Sequence, residues 1–134
     1  MALTAGVRIA SGLEEVGIVD VCDLKVLGEE NGDQLGIGIS SAGDVNGGGI
    51  EDVILGTEEM AGPQEWTNFA YILPGGREYG ENIDLLNRPE GIVRLSGFDP
   101  SVSVAGLGDF NGDGIDDVII GDALDNHDGM GRAG

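Results

Sequence analysis

Basic residues and cysteines are scarce in this chain of 134 residues. Six Lys and Arg stand against 25 Asp and Glu, which gives a formal net charge of −19 at pH 7. Such a charge repels phosphate backbones and anionic lipid headgroups, so it argues against nucleic acid and membrane surfaces as partners. The one cysteine, Cys22, cannot form an internal disulfide, and we expect it to be a small core residue beside Val21.

Aromatic residues and proline are also few, and long apolar runs are missing. Aromatics make up 4% of the chain and there are four prolines, whereas there are 26 glycines. The core must therefore be built from Val, Ile, Leu and Ala, and the glycines suit tight turns between short strands. The N-terminal sequence MALTAGVRIASG lacks the basic and apolar segments of a signal peptide, and no stretch is long enough to predict a membrane span.

Catalytic motifs are missing as well. The sequence has no GxSxG, CxxC or HExxH motif and no phosphate-binding loop. The only histidine, His127, lies in a polar tail where we expect it to be solvated. A glycosidase pair among the many carboxylates is less favoured than metal ligands and solvated surface. Trp66, in a long acidic loop, is more typical of a loop anchor than of a contact to a sugar or a protein. We therefore expect a protein that is not an enzyme.

The most informative stretch is GDFNGDGIDDVIIG, residues 108–121. It places oxygen-bearing side chains at loop positions 1, 3, 5 and 9, with a backbone carbonyl at position 7; these are Asp109, Asn111, Asp113, Asp117 and the carbonyl of Ile115. Alternate oxygen donors on a tight loop are the pattern that Ca²⁺ prefers. The alternative is a turn of Asn, Asp and Gly without metal.

An EF-hand does not explain this stretch. An EF-hand loop requires Glu at position 12 and a helix after it. Here position 12 is Ile120, which closes the β-branched run 118–120 before Gly121. The run predicts a short buried strand, so the pattern indicates a calcium loop between two strands.

The same pattern occurs 65 positions earlier, with Asp44 in the place of Asp109. Residues 43–56 read GDVNGGGIEDVILG and keep four of the five donors: Asp44, Asn46, Asp52 and the carbonyl of Ile50. Gly48 replaces the carboxylate of Asp113. We therefore expect the first loop to bind calcium more weakly, or to use water in that place.

The pattern DxNGDGxxDxxxG after an alternating strand resembles the FG-GAP repeat, the blade unit of integrin α-subunit β-propellers and of many bacterial surface and secreted proteins. The resemblance covers about residues 20–134, although Leu73-Pro74-Gly75-Gly76 stands where Phe-Gly is usual. It implies an all-β fold of antiparallel four-stranded blades, here a partial β-propeller of about two blades. It also implies Ca²⁺ as the cofactor, held in loops at one rim of the propeller.

The resemblance divides the chain into three parts. Residues 1–33 would end a preceding blade, 34–97 would form a complete blade with the first calcium loop, and 98–134 would begin the next blade with the second loop. An open β-sandwich of the same strands is the alternative. The strands are predicted at 7–9, 17–19, 24–27, 35–40, 53–55, 69–73, 92–95, 102–107 and 118–120.

Two further expectations concern packing. The small residues that alternate in 35–40 and 102–107 would allow close approach of neighbouring sheets. Residues 77–90 are predicted to be irregular, with Ile83, Leu85 and Leu86 anchoring them to the core.

Together these features predict a calcium-binding propeller segment of an extracellular or cell-surface protein, with a role in adhesion, ligand binding or structure. Its partners would be an extracellular protein or a carbohydrate, and neighbouring blades of a longer parent chain or further copies of itself. The alternative is a set of accessory blades of a secreted hydrolase or lyase, which would show catalytic residues converging at the propeller axis.

Overall fold

The computed structural model describes residues 6–10, 22–30, 32–58, 68–98 and 102–122. Within these residues there are nine strands and no helix, which confirms the predicted all-β class. The strands are β1 (Gly6–Ala10), β2 (Cys22–Leu27), β3 (Gly38–Gly43), β4 (Asp52–Gly56), β5 (Asn68–Leu73), β6 (Asn82–Asp84), β7 (Val93–Phe98), β8 (Val102–Gly108) and β9 (Asp117–Asp122).

The central layer is a four-stranded antiparallel sheet in the order β3-β4-β5-β7. Its middle strands, β4 (DVILG) and β5 (NFAYIL), have nearly continuous apolar sequences. Such runs are typical of strands that are covered on both faces. Ile54 and its neighbour Leu55 point to opposite faces of β4, and both are fully buried. The central sheet is therefore the middle of three layers.

One face of the central sheet packs against a three-stranded sheet in the order β1-β2-β6, in which β2 and β6 are parallel. The buried residues of this interface are Val26, Leu35, Leu55, Tyr71, Leu73, Ile83, Leu85 and Ile92. The other face packs against the antiparallel hairpin β8-β9. Its buried residues are Ala42, Ile54, Ala70 and Ile72, with Val104, Val118 and Ile120 of the hairpin packed against them.

Small residues bring β3 and β8 close together, as the sequence predicted. A Cβ on Gly106 would lie 2.4 Å from the carbonyl oxygen of Ser41, and one on Gly38 would lie 3.1 Å from the Val104 side chain. The backbones of two layers therefore approach each other where β8 crosses β3.

The structure corrects three local predictions. The strand expected at 35–40 begins only at Gly38, because Gly36 takes a φ of +96° in a preceding turn; Leu35 enters the core from that turn. Leu86 is 63% exposed and does not anchor its segment, whereas Ile83 and Leu85 are fully buried as predicted. Residues 77–90 are not wholly irregular, since they contain β6.

Other predictions fall outside the described residues: the strand at 17–19, Trp66, His127 and the side chain of Cys22. In the part of the chain that the structure describes, no helix has the length and apolar character needed to cross a membrane.

Candidate metal-binding loops

The two predicted calcium loops join equivalent hairpins. The first loop connects β3 to β4 and the second connects β8 to β9. Both hairpins carry a register shift just before the loop, between Ser41 and Gly43 in one and between Gly106 and Gly108 in the other. Gly43 and Gly108 have φ values of +73° and +68°. A bulge that ends in a left-handed glycine is thus repeated at both loops.

In the second loop, Asp109 is the centre of the hydrogen-bond network. Its Oδ1 accepts the N–H groups of Gly112 (2.8 Å) and Asp113 (2.9 Å), and its Oδ2 accepts that of Gly114 (3.0 Å). Asn111 Oδ1 accepts the same Asp113 N–H at 2.9 Å. Because both oxygens contact one nitrogen, the side chains at positions 1 and 3 are brought together.

Asp117, at position 9, closes the second loop from the β9 side. Its Oδ2 accepts the N–H groups of Phe110 (3.0 Å) and Asn111 (3.2 Å), and its Oδ1 lies 3.3 Å from Asn111 Nδ2. Asp113 Oδ1 accepts the N–H of Ile115 at 2.9 Å. All four predicted ligand side chains of this loop are therefore linked in one network.

The first loop repeats the main contacts. Asp44 accepts the N–H groups of Gly48 (2.8 Å) and Gly49 (2.7 Å), which match the bonds of Asp109 to Asp113 and Gly114. Asp52 accepts the N–H of Val45 at 3.2 Å, as Asp117 accepts that of Phe110.

Asp52 differs from Asp117 in its burial. It is 1% exposed, and its Oδ1 accepts the N–H of Gly75 at 2.8 Å from the turn after β5. The Nδ2 of Asn46 lies 2.9 Å from Asp52 Oδ1 and 2.8 Å from Oδ2. The buried carboxylate is thus balanced by an amide group and backbone N–H groups.

The residues of both loops fit Ca²⁺ by the chemistry of their donors. The second loop offers three carboxylates, one amide oxygen and one carbonyl, and the first offers two carboxylates with the same amide and carbonyl positions. Oxygen donors of this kind are those that Ca²⁺ takes. In this structure the carboxylates of both loops accept hydrogen bonds from N–H groups of the same loop. No group of three His, Cys, Asp or Glu side chains in the described ranges is arranged to hold a metal ion.

Sequence reasoning missed a direct contact between the two loops. Asp116 Oδ2 accepts the N–H of Asp44 at 2.8 Å, and the N–H of Asp116 donates to the Asp44 carbonyl oxygen at 3.3 Å. The only signal in the sequence was that loop position 8 is acidic in both copies, as Glu51 and as Asp116.

Sequence reasoning also missed a cluster around Glu29, whose carboxylate accepts hydrogen bonds from three side chains. Arg88 and Arg94 form ion pairs with it at 2.7 and 2.9 Å, and the Tyr71 hydroxyl donates to it at 2.9 Å. The Arg94 guanidinium also stacks 4.6 Å from the centre of the Phe69 ring. Burial, followed by the hydrogen bond to Glu29, raises the pKa of Tyr71 well above its usual value. No local pattern signals this cluster, because Glu29 lies 42 to 65 positions from the residues that donate to it.

No family model, no curated protein and no solved structure matches this chain.

Proposed function

We propose that this chain is a calcium-binding segment of an FG-GAP-type β-propeller in an extracellular or cell-surface protein, with a role in adhesion, ligand binding or structure and no enzymatic activity of its own. Calcium, when bound, would replace hydrogen bonds within each loop by stronger ionic links. The second loop would hold it through Asp109, Asn111, Asp113, Asp117 and the Ile115 carbonyl. The first would use Asp44, Asn46, Asp52 and the Ile50 carbonyl.

The observation that carries this proposal is the repetition of one hairpin. The loops agree in their bulge, their left-handed glycine and the bonds of their first and ninth residues. Both loops also carry an acidic ninth position, and the second adds the carboxylate of Asp113, so each concentrates oxygen donors and negative charge in one turn. We propose the extracellular setting because calcium is abundant there, so that even weak calcium sites are filled.

The partner of the β8-β9 hairpin would be a neighbouring unit of the same repeat. On its outer face Leu107 is 44% and Ile119 is 51% exposed, whereas their counterparts in the first repeat, Ala42 and Ile54, are both 0% exposed. Ala42 and Ile54 are covered because β8-β9 packs over them. By the same geometry, a further blade or a second copy would cover Leu107 and Ile119.

Thermal unfolding in Ca²⁺ and in EDTA, with isothermal titration of Ca²⁺ into the chain, tests the proposal. Ligands that bind only the folded state stabilise it, and we expect two sites of unequal affinity and a higher Tm in Ca²⁺. Mg²⁺ serves as a control, because it loses its water shell reluctantly and needs a stricter geometry. Identical melting curves in Ca²⁺ and EDTA would overturn the proposal.

A reciprocal pair of variants assigns the sites. Asp113→Gly gives the second loop the composition of the first, and we expect its calcium affinity to fall by about tenfold or more. Gly48→Asp is the reverse change and should strengthen the first loop. Its new Cβ would lie 2.5 Å from Asn46 Oδ1, so the Asn46 side chain has to shift, as Asn111 is accommodated beside Asp113 in the second loop. Unchanged affinities in both variants would show that position 5 is not a ligand.

A further inference from the structure

The contact between Asp116 and Asp44 holds one candidate calcium loop to the other. It consists of two hydrogen bonds between residues 72 positions apart: the Asp44 N–H donates to the Asp116 carboxylate, and the Asp116 N–H donates to the Asp44 carbonyl oxygen. Gly43 makes room for it, since a Cβ there would lie 2.2 Å from Asp116 Oδ2. The contact therefore depends on a carboxylate in one repeat and on a glycine in the other.

Both ends of the contact lie next to proposed ligands. Asp116 stands between Ile115 and Asp117, which supply positions 7 and 9 of the second loop. Asp44 supplies position 1 of the first loop, and its side chain holds the N–H groups of Gly48 and Gly49. The two hydrogen bonds therefore link the backbone at 115–117 to the residue that organises the first loop.

We infer that Asp116 couples the two loops, so that calcium in the second loop raises the calcium affinity of the first. The inference rests on the proposed function. The second loop has the fuller set of carboxylates and fills first. Its ordering fixes Asp116, which holds the Asp44 backbone in place, so the first loop loses less conformational entropy when it binds. Glu51 does not do this for the second loop, because its carboxylate accepts a bond from Ser41 within its own hairpin.

The test is a Ca²⁺ titration of the full chain followed by NMR, with the amides of Gly49 and Gly114 reporting on the first and second loops. Asp113→Gly weakens the second loop without touching the first. We expect the apparent Kd of the first loop to rise by about fivefold or more, the lower end of usual coupling factors. The same substitution is then made in the Asp116→Ala background, where we expect it to leave the Kd of the first loop unchanged. The coupling is the effect of Asp113→Gly in the wild-type chain minus its effect in the Asp116→Ala chain.

Glu51→Ala is the matched control, since it removes one carboxylate from the equivalent loop position and should leave the coupling intact. If Asp116→Ala does not fold, Asp116→Asn keeps the shape of the side chain but accepts the Asp44 N–H through a weaker, neutral oxygen, so the coupling should fall in that variant. Two loops that bind calcium independently in the wild-type chain would overturn this inference and leave the proposed function standing. Absence of calcium binding at both loops would overturn both.

Discussion

Tyr71 joins the core to the charged cluster at the surface. Its side chain is the largest of those fully buried in the described residues, and its hydroxyl donates to Glu29 at 2.9 Å. Ionisation would place a phenolate in the core beside a carboxylate, which is why burial and this hydrogen bond raise the pKa of Tyr71. The unfolded chain releases the same proton near pH 10. Above that pH the folded state binds more protons than the unfolded state, so the free energy of unfolding falls as the pH rises.

Tyr71→Phe separates this effect from the rest of the alkaline titration. At pH 7 we expect the variant to be less stable by about 1.5–3 kcal/mol, because one hydrogen bond to a charged group is lost. Between about pH 10 and 11.5 the difference should shrink or reverse, since the wild type then loses up to about 1.4 kcal/mol per pH unit from this proton. Urea unfolding of both proteins over pH 7–11.5 measures this difference in the free energy of unfolding.

Tyr79→Phe is the control for the tyrosine prediction, because Tyr79 is the only other tyrosine and its hydroxyl donates to the Pro74 carbonyl oxygen at 2.7 Å. Burial also raises the pKa of Tyr79, although that side chain is only partly covered. A constant stability difference between wild type and Tyr71→Phe at all pH values would show that Tyr71 ionises as freely in the folded chain as in the unfolded one.

At the scale of the strands, the close approach of β8 to β3 gives a matched pair of glycine substitutions. Gly106→Ala would place a Cβ 2.4 Å from the Ser41 carbonyl oxygen and 3.2 Å from the Ala42 backbone, and neither can rotate away. Overpacking of this kind costs about 1–3 kcal/mol. In Gly56→Ala the nearest atom, the Val102 carbonyl oxygen, is 3.6 Å away.

We therefore expect Gly106→Ala to lower the free energy of unfolding and Gly56→Ala to leave it unchanged, or to raise it by about 0.4–1 kcal/mol through the unfolded state. Guanidinium denaturation with equal m-values in all three proteins measures both effects. Equal stability of the two variants would mean that β3 and β8 can move apart without lowering the free energy of unfolding.

The strands that sequence reasoning found are those with a strong local pattern. The apolar runs of β4, β5 and β9 carry their own signal, because short apolar runs bounded by turn residues favour strands. The predicted burial of the run 118–120 was wrong, since Ile119 is 51% exposed. β6 was missed because it has three residues and becomes a strand only by pairing with β2, far away in the chain. A pairing between distant segments is not encoded in either segment alone.

The same limit applies to the candidate site. Spacing alone selected the oxygen-bearing residues of each loop, and the structure brings the four side chains of the second loop into one network. Spacing could not show that backbone N–H groups already satisfy Asp109, nor that Asp116 reaches Asp44. Both depend on backbone directions and on the stacking of layers, which are three-dimensional properties.

At the scale of the whole molecule, the three layers form a stack. Both faces of the central sheet are covered, whereas the outer face of the β8-β9 hairpin is exposed. Ile54 and Ile119 occupy the same position of the two repeats, yet they are 0% and 51% exposed. The difference comes only from their place in the stack, because Ile54 has a layer over it. Equivalent substitutions should therefore have unequal effects in this chain.

We expect Ile54→Ala to cost about 2–5 kcal/mol, as for other buried aliphatic side chains. Ile119→Ala should cost less than about 1 kcal/mol, as is usual for exposed positions. Denaturation at several protein concentrations, together with sedimentation velocity, measures both effects. A large cost for Ile119→Ala that grows with protein concentration would mean that a second copy covers the outer face of β8-β9. A large cost that is independent of concentration would mean that the chain itself covers this face, contrary to the exposure of Leu107 and Ile119.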